Sequence, residues 1–111
     1  MHRKLGDYRE AIQDYTQAIQ LNSHDADAYV GRGNVRSDLG DYRGAIQDYT
    51  QAIQLNPNHG LAYYNCGNAQ YQSGDVQGAI NNFHKAASLL QLQDNPLLYQ
   101  EIQSILQRHK Q

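Results

Sequence analysis

The sequence has little of what would stabilise a fold covalently or anchor it in a membrane. Its 111 residues include one cysteine, Cys66, and no tryptophan. A single cysteine excludes an internal disulfide and a cysteine-rich zinc site, which fits a reducing compartment. No apolar run approaches the roughly 18 residues that a transmembrane helix requires, and residues 1–4 lead into a polar segment, unlike a signal peptide. These absences predict a soluble cytoplasmic domain with no membrane partner.

Positive charge is also sparse. Nine lysines and arginines stand against eleven aspartates and glutamates, which gives a formal net charge of -2, and the basic residues are scattered along the chain. A protein that binds a phosphate backbone needs a clustered basic surface. We therefore expect no nucleic-acid partner, which also weighs against an RNA-binding helical repeat.

What the sequence does contain is a repeat. Residues 5–22 read LGDYREAIQDYTQAIQLN and residues 39–56 read LGDYRGAIQDYTQAIQLN, so 17 of 18 positions agree at an offset of 34. Glu10 against Gly44 is the one difference, and a weaker third copy begins at Gly74. A fixed period of roughly twenty to fifty residues indicates a solenoid built from stacked supersecondary units.

Each copy has the pattern of an amphipathic helix, because its apolar residues recur at steps of three and four. Helices are predicted over 7–21, 26–39, the second copy, 60–73, 76 to about 90, and 97–109. Asp25 and Asn95 are expected N-caps, and Gly40 an expected left-handed C-terminal cap. The unit is therefore an antiparallel helix pair, A and B, joined by a tight Gly-Asp turn.

These positions resemble the tetratricopeptide (TPR) pattern when Ala26 begins a 34-residue unit. In that unit the signature positions carry Tyr29, Gly33, Gly40, Tyr42, Ala45, Tyr49, Ala52 and Pro57. The third unit matches at Tyr63, Gly67, Gly74, Ala79, Phe83 and Ala86 and departs at Gln91, where the family has proline. The first unit matches only from Gly6 onward. The resemblance implies an all-α, right-handed α-α superhelix of antiparallel helix pairs, with a capping helix at its C-terminal end.

The expected division follows the period. Residues 1–93 form the TPR array, in which 1–25 are a partial repeat with helix B only, and 26–59 and 60–93 are full repeats. Residues 94–111 form the C-terminal capping helix. The sequence leaves open whether Met1 is the natural start or the chain is a fragment of a longer array.

The resemblance implies that the A helices line a concave groove that holds an extended peptide or a partner's helix. Asparagines one period apart offer both a donor and an acceptor, which suits a peptide backbone. The alternative is that these side chains only solvate a helix face. The residues predicted to line the groove are Val30, Asn34, Leu61, Tyr64, Asn65, Asn68 and Tyr71.

A free terminal carboxylate is not the expected ligand. Family members that clamp a carboxylate use lysines and an arginine on this face. Here Val30 and Tyr64 stand at the lysine positions, and the capping helix offers Leu98 and Tyr99. The predicted function is therefore a non-catalytic protein-protein interaction scaffold whose partner is a protein or peptide of another kind.

Arg32 and Arg36 lie on the face of their A helix that is predicted to turn inward. Arg32 is predicted to form a structural ion pair with Asp48, or with the equivalent Asp14, because an unpaired buried charge is costly. In the third unit Cys66 replaces the arginine and Asn82 replaces the aspartate, so both charges are absent together.

No catalytic or metal site is predicted. Cys66 could in principle act as a nucleophile with His59 or His84 as base, but it occupies a core position of helix A, and no third orienting group stands at a suitable spacing. No pair of histidines has ligand spacing on one helix face. We therefore expect no enzyme activity, no metal and no cofactor.

The first predicted helix differs from the others in having no preceding partner helix in the pattern. It has the apolar face of a B helix without an A helix beside it, so Tyr8, Ile12, Tyr15 and Ile19 are predicted to be partly uncovered. Exposed apolar stripes tend to mark interfaces. The alternative function is accordingly a self-assembly module that forms a homo-oligomer through residues 1–22.

Overall fold

A computed structural model describes residues 5–92 and 95–109. These residues form six α-helices and no strand, and the helices follow one another with short connections. The predicted all-α class is confirmed. The helices are α1 (Leu5–Leu21), α2 (Ala26–Asp38), α3 (Tyr42–Leu55), α4 (Gly60–Ser73), α5 (Val76–Leu92) and α6 (Pro96–Arg108).

The helices stack in chain order. Each packs against its neighbours in the sequence, and α2 also approaches α4. The stack measures 42 × 26 × 24 Å. α2 with α3 and α4 with α5 are the two complete pairs, while α1 and α6 lie at the two ends, so the predicted helical solenoid is confirmed.

Local signals fix where the helices begin and end. The Asp25 carboxylate accepts a hydrogen bond from the backbone N–H of Ala28 at 3.1 Å, as expected of an N-cap. Gly40 and Gly74 have φ of 84° and 97°, a left-handed conformation that glycine adopts without steric cost. Asn95 is the N-cap of α6, as predicted, although its side chain makes no capping hydrogen bond, and Pro96 follows as the first residue of the helix.

The core consists of two clusters of buried side chains, one on each side of α4. The largest fully buried side chains are Tyr49 in the first cluster and Phe83, Leu90 and Ile102 in the second. The two clusters also contain five alanines that have no exposed surface, namely Ala45, Ala52, Ala62, Ala79 and Ala86. Helix backbones can approach closely only where such small residues face one another.

Glycines at one position of each A helix make room for the aromatic rings of the B helices. A Cβ placed on Gly33 would lie 2.7 Å from the Tyr49 ring, and one placed on Gly67 would lie 2.9 Å from the Phe83 ring. The period of 34 residues therefore repeats a steric fit, glycine on helix A against an aromatic ring on helix B.

A buried carboxylate links the helices of the second unit. Arg32 donates from Nε and Nη2 to the two oxygens of Asp48, at 3.0 and 2.8 Å. Arg36 donates from Nη1 to Asp48 Oδ2 at 2.9 Å, and Asp48 is only 3% exposed. The predicted Arg32–Asp48 pair is present, whereas the participation of Arg36 was not predicted. The hydrogen bond between Arg32 and Asp48 raises the pKa of Arg32 above its usual value.

The third unit builds the same junction from neutral groups. Asn82, one period after Asp48, donates from Nδ2 to Gln70 Oε1 at 2.6 Å and lies 3.5 Å from the Cys66 sulfur. Gln70 is one period after Arg36, and Cys66 is one period after Arg32. At equivalent positions, the second unit therefore has an ion pair and the third unit has a neutral hydrogen bond.

Gly67→Ala tests the steric fit. We expect the free energy of unfolding to fall by about 1–3 kcal/mol, because Phe83 is buried and cannot move away from the added methyl group. Chemical denaturation followed by circular dichroism measures this. Gly6→Ala is the control, since a Cβ at Gly6 meets nothing within 4 Å, and it should leave stability unchanged or raise it by up to about 1 kcal/mol. Equal effects of the two changes would contradict the steric fit between Gly67 and Phe83.

Asp48→Asn tests the ionic junction. We expect a loss of about 2–3 kcal/mol in the free energy of unfolding, because the two arginines lose the charge that compensates them. The matched control is Asp14→Asn, which should change stability by less than about 0.5 kcal/mol, because Asp14 is exposed.

A triple change separates charge loss from shape. Arg32→Cys, Arg36→Gln and Asp48→Asn together install the neutral set of the third unit, so we expect stability to recover by about 1 kcal/mol or more relative to Asp48→Asn alone. A triple variant that is less stable than the single variant would show that the neutral junction does not transfer between units.

Candidate functional site

The A helices line two adjoining depressions, which we call the groove. The first, of about 390 Å³, is lined by Asn34, Ser37, Asp38, Tyr49, Asn65 and Asn68. The second, of about 190 Å³, is lined by Asn68, Tyr71, Phe83, Ile105, Arg108 and His109. Asn68 belongs to both depressions, so the groove continues from α2 across α4 to α6.

Two asparagine side chains in the groove are oriented by hydrogen bonds. The Asn34 amide oxygen accepts from the Tyr49 hydroxyl at 2.5 Å and from Asn65 Nδ2 at 3.1 Å. Burial raises the pKa of Tyr49, so its hydroxyl stays protonated and donates. With that oxygen engaged, the Asn34 amide nitrogen remains as a donor and the Asn65 oxygen as an acceptor. Such a pair complements the carbonyl and the N–H of a peptide backbone.

The α6 end of the groove combines an aromatic surface with positive charge. Tyr71 is 42% exposed, and its ring meets the His109 ring edge to face at a centroid distance of 5.4 Å. Ile105 and Arg108 complete this end. Sequence reasoning missed these α6 residues because it looked at Leu98 and Tyr99, although the period itself places Ile105 one unit after Tyr71.

The structure brings together four of the seven residues predicted for the groove: Asn34, Asn65, Asn68 and Tyr71. Val30 is a correction, because it is only 9% exposed and belongs to the first core cluster. Tyr64 is half-buried, with its ring 5.9 Å from that of Phe83, so most of it packs inward. Leu61 is 43% exposed but lines a separate depression beside Asp27 and His59.

The residues predicted to be uncovered on α1 are half-buried. Tyr8, Ile12 and Ile19 have counterparts in α3, namely Tyr42, Ile46 and Ile53, which are half-buried as well. Their partial exposure therefore does not reflect the position of α1 at the end of the stack. Tyr15 differs, because its counterpart Tyr49 is 2% exposed. Self-association through residues 1–22 stays a prediction, and residues 1–4 lie outside the described part of the chain.

Within the described residues, Cys66 and the histidines form no reactive cluster. Cys66 is 3% exposed, and burial raises the pKa of its thiol to about 11. The His59 ring accepts from the Ala62 N–H through Nδ1 and meets Asp27 through Nε2 at 2.9 Å, so it caps α4, and His84 is exposed on α5. Among residues 5–92 and 95–109, no three of the histidine, cysteine and acidic side chains could hold a metal ion.

We expect Cys66 to be almost inert towards thiol reagents in the folded chain. Raising the thiol pKa to about 11 lowers the thiolate fraction at neutral pH by roughly 100-fold relative to an exposed cysteine. The rate of reaction with a disulfide reagent measures this, with Cys66→Ala/Ser88→Cys as the exposed control. Comparable rates for the two proteins under native conditions would contradict the burial of the thiol.

Comparison with solved structures gives close matches to the whole stack. The type III secretion translocator chaperone SycD of Yersinia enterocolitica superposes with a TM-score of 0.87 at 20% identity, covering 93% of this chain and 72% of that one. PcrH, in complex with the chaperone binding region of PopD, gives 0.88 at 25% identity, covering 93% and 78%. The TPR2B domain of yeast Sti1, in its complex with pHsp70, gives 0.85 at 26%, covering 91% and 81%.

Comparison with curated protein sequences gives no match, and no helix within the described ranges is long and apolar enough to cross a membrane. A family model described as TPR repeat matches residues 1–39 and 33–74, which is more than half of the chain. The repeat of 34 residues, the stacked helix pairs and this match agree, and the chain belongs to the TPR repeat family.

Proposed function

We propose that this chain is a non-catalytic scaffold that binds an extended segment of a partner protein in the groove. The observation that carries the proposal is the Asn34–Asn65 pair, whose hydrogen bonds leave the Asn34 amide nitrogen as a donor and the Asn65 amide oxygen as an acceptor in the depression that Asn68 also lines. A surface that binds the backbone of an extended peptide needs hydrogen-bond donors and acceptors at fixed positions.

The size of the stack limits the length of the ligand. Its long axis measures 42 Å, and an extended chain covers about 3.3–3.6 Å per residue, so about twelve residues would cross it. A longer segment would extend beyond the helices at both ends.

The two ends of the groove favour different side chains. Phe83, Tyr71 and Ile105 surround the depression at the α6 end, and Arg108 stands at its margin. An apolar ligand side chain would bury against these residues, and an acidic side chain next to it would face Arg108. Asp38 lies at the α2 end, where a basic ligand residue is preferred.

Two of the similar structures support an interaction role. The PcrH structure contains the chaperone binding region of PopD, and the structure of the Sti1 domain is a complex with pHsp70. Both share the helical stack with this chain. The similarity supports partner binding by this architecture, and the choice of groove and ligand is our proposal.

The experiment begins with a displayed library of random capped peptides of about twelve residues, selected on the intact chain. We expect enriched sequences to combine an apolar residue with an acidic neighbour. The best peptide is then synthesised with a fluorescent label, and its affinity is measured by anisotropy. Absence of any enriched peptide, or enrichment that persists on an Asn68→Ala/Tyr71→Ala variant, would contradict the proposal.

Single substitutions locate the contact. We expect Asn68→Ala and Tyr71→Ala each to weaken the selected peptide by about tenfold, because a buried contact at the centre of an interface contributes about 1–2 kcal/mol. Asn81→Ala is the matched control, since this asparagine is exposed on α5 and its side chain accepts a hydrogen bond only from Gln77 within the described residues. A loss of affinity in Asn81→Ala equal to that in Asn68→Ala would place the ligand elsewhere.

A further inference from the structure

Two asparagines of the groove occupy equivalent positions but have different neighbours. Asn34 on α2 and Asn68 on α4 lie one period apart, and both line the groove. The B-helix residue in the depression of Asn34 is Tyr49, and one period later, in a depression of Asn68, it is Phe83. The Tyr49 hydroxyl donates to Asn34 Oδ1 at 2.5 Å. Phe83 has no hydroxyl, so the third unit lacks this hydrogen bond.

The Asn34 amide oxygen accepts from two donors at once. Besides the Tyr49 hydroxyl, Asn65 Nδ2 donates to Asn34 Oδ1, at 3.1 Å. The bond between the two asparagines could equally run the other way, because an amide that turns over exchanges its oxygen for its nitrogen. If both amides turned over, Asn34 would donate to Asn65, and the pair would present the opposite groups to the groove. The bond between Asn34 and Asn65 alone therefore does not decide which of them presents a donor.

The Tyr49 hydroxyl decides it, because the hydroxyl hydrogen needs an acceptor. Tyr49 is 2% exposed, and within the described residues its hydroxyl donates to Asn34 Oδ1. Turning the Asn34 amide over would leave this buried donor without a partner, which is costly. Burial and the charge of Asp38 raise the pKa of Tyr49, so the hydroxyl keeps the hydrogen that it donates. Asn34 is thereby fixed as a donor towards the groove and Asn65 as an acceptor.

We propose that Tyr49 is a positioning residue that determines which backbone groups of the partner segment the groove accepts; this inference rests on the proposed function. Asn34 Nδ2 binds a backbone carbonyl of the segment, and Asn65 Oδ1 binds a backbone N–H. In an extended chain the carbonyl and the N–H of one residue point to the same side, as in a hydrogen-bonded pair of an antiparallel sheet. The partner residue at this place therefore needs an N–H and cannot be proline.

The third unit is less selective. Because Asn68 has Phe83 in place of a tyrosine, no hydroxyl fixes its amide, and the amide can turn to meet either a carbonyl or an N–H. The α2 end of the groove thus sets the register of the partner backbone, and Asn68 adapts to it.

The test uses the intact chain and the selected peptide in a series of analogues, each with one backbone N–H replaced by an ester oxygen. We expect one analogue to bind about tenfold more weakly by anisotropy, because its ester oxygen faces Asn65 Oδ1. In Tyr49→Phe the same analogue should lose only about twofold relative to the parent peptide, since both asparagines can then turn over. This ratio compares two peptides on one protein, so a change in stability alone does not move it.

Tyr42→Phe is the matched control. It removes a hydroxyl from a half-buried tyrosine of the same helix that lies outside the groove, and the roughly tenfold ester penalty should persist. Phe83→Tyr makes the reciprocal change. It installs a hydroxyl beside Asn68 and should make a second peptide position sensitive to the ester.

A second measurement needs no peptide. The 15N order parameter of the Asn34 side-chain amide should fall in Tyr49→Phe, and that of Asn68 should rise in Phe83→Tyr. An ester penalty that is the same in Tyr49→Phe as in the unchanged chain, or an Asn34 order parameter that does not fall, would overturn the role of Tyr49 while leaving the proposed function in place. Absence of any binding peptide would contradict the proposed function and this inference with it.

Discussion

The buried carboxylate of Asp48 is the constraint on which the second unit depends. A charge this deep is tolerated only when it is compensated, and two guanidinium groups from α2 supply three hydrogen bonds to it. The bidentate fork of Arg32 fixes how α2 is turned relative to α3. Asn34 lies between the two arginines in the sequence, so the same contact directs this asparagine towards Tyr49 and the groove.

The third unit shows that the charge is not required by the fold. Gln70 and Asn82 meet at the equivalent positions through a neutral hydrogen bond, and Phe83 still packs against Gly67. The steric fit of glycine and aromatic ring is therefore the common element, and the polar junction varies around it. α1 and α3 are nearly identical in sequence whereas α2 and α4 differ, and most of the residues that we propose to bind a partner lie on α2 and α4.

Much of the fold could be predicted from the sequence because the 34-residue period aligns positions that meet the same surroundings. The period identified the helices, the turn at Gly40 and the pairing of Arg32 with Asp48. It did not reveal that Arg36 also binds the Asp48 carboxylate, because the spacing of residues in the sequence does not show how far a long side chain extends. Nor did it show that Val30 is buried, because spacing does not fix how far a helix is rotated about its axis, and a small error in that rotation exchanges a position at the edge of the groove with a position in the core.

Nuclear magnetic resonance of the side-chain amides can show whether a partner segment contacts the amides of the groove. The selected peptide is titrated into the 15N-labelled chain, and the amide signals of each asparagine are followed. We expect saturable shifts at Asn34, Asn65 and Asn68, with Asn81 and Asn82 on α5 unchanged. Shifts confined to α5, with the three groove asparagines unaffected, would contradict it.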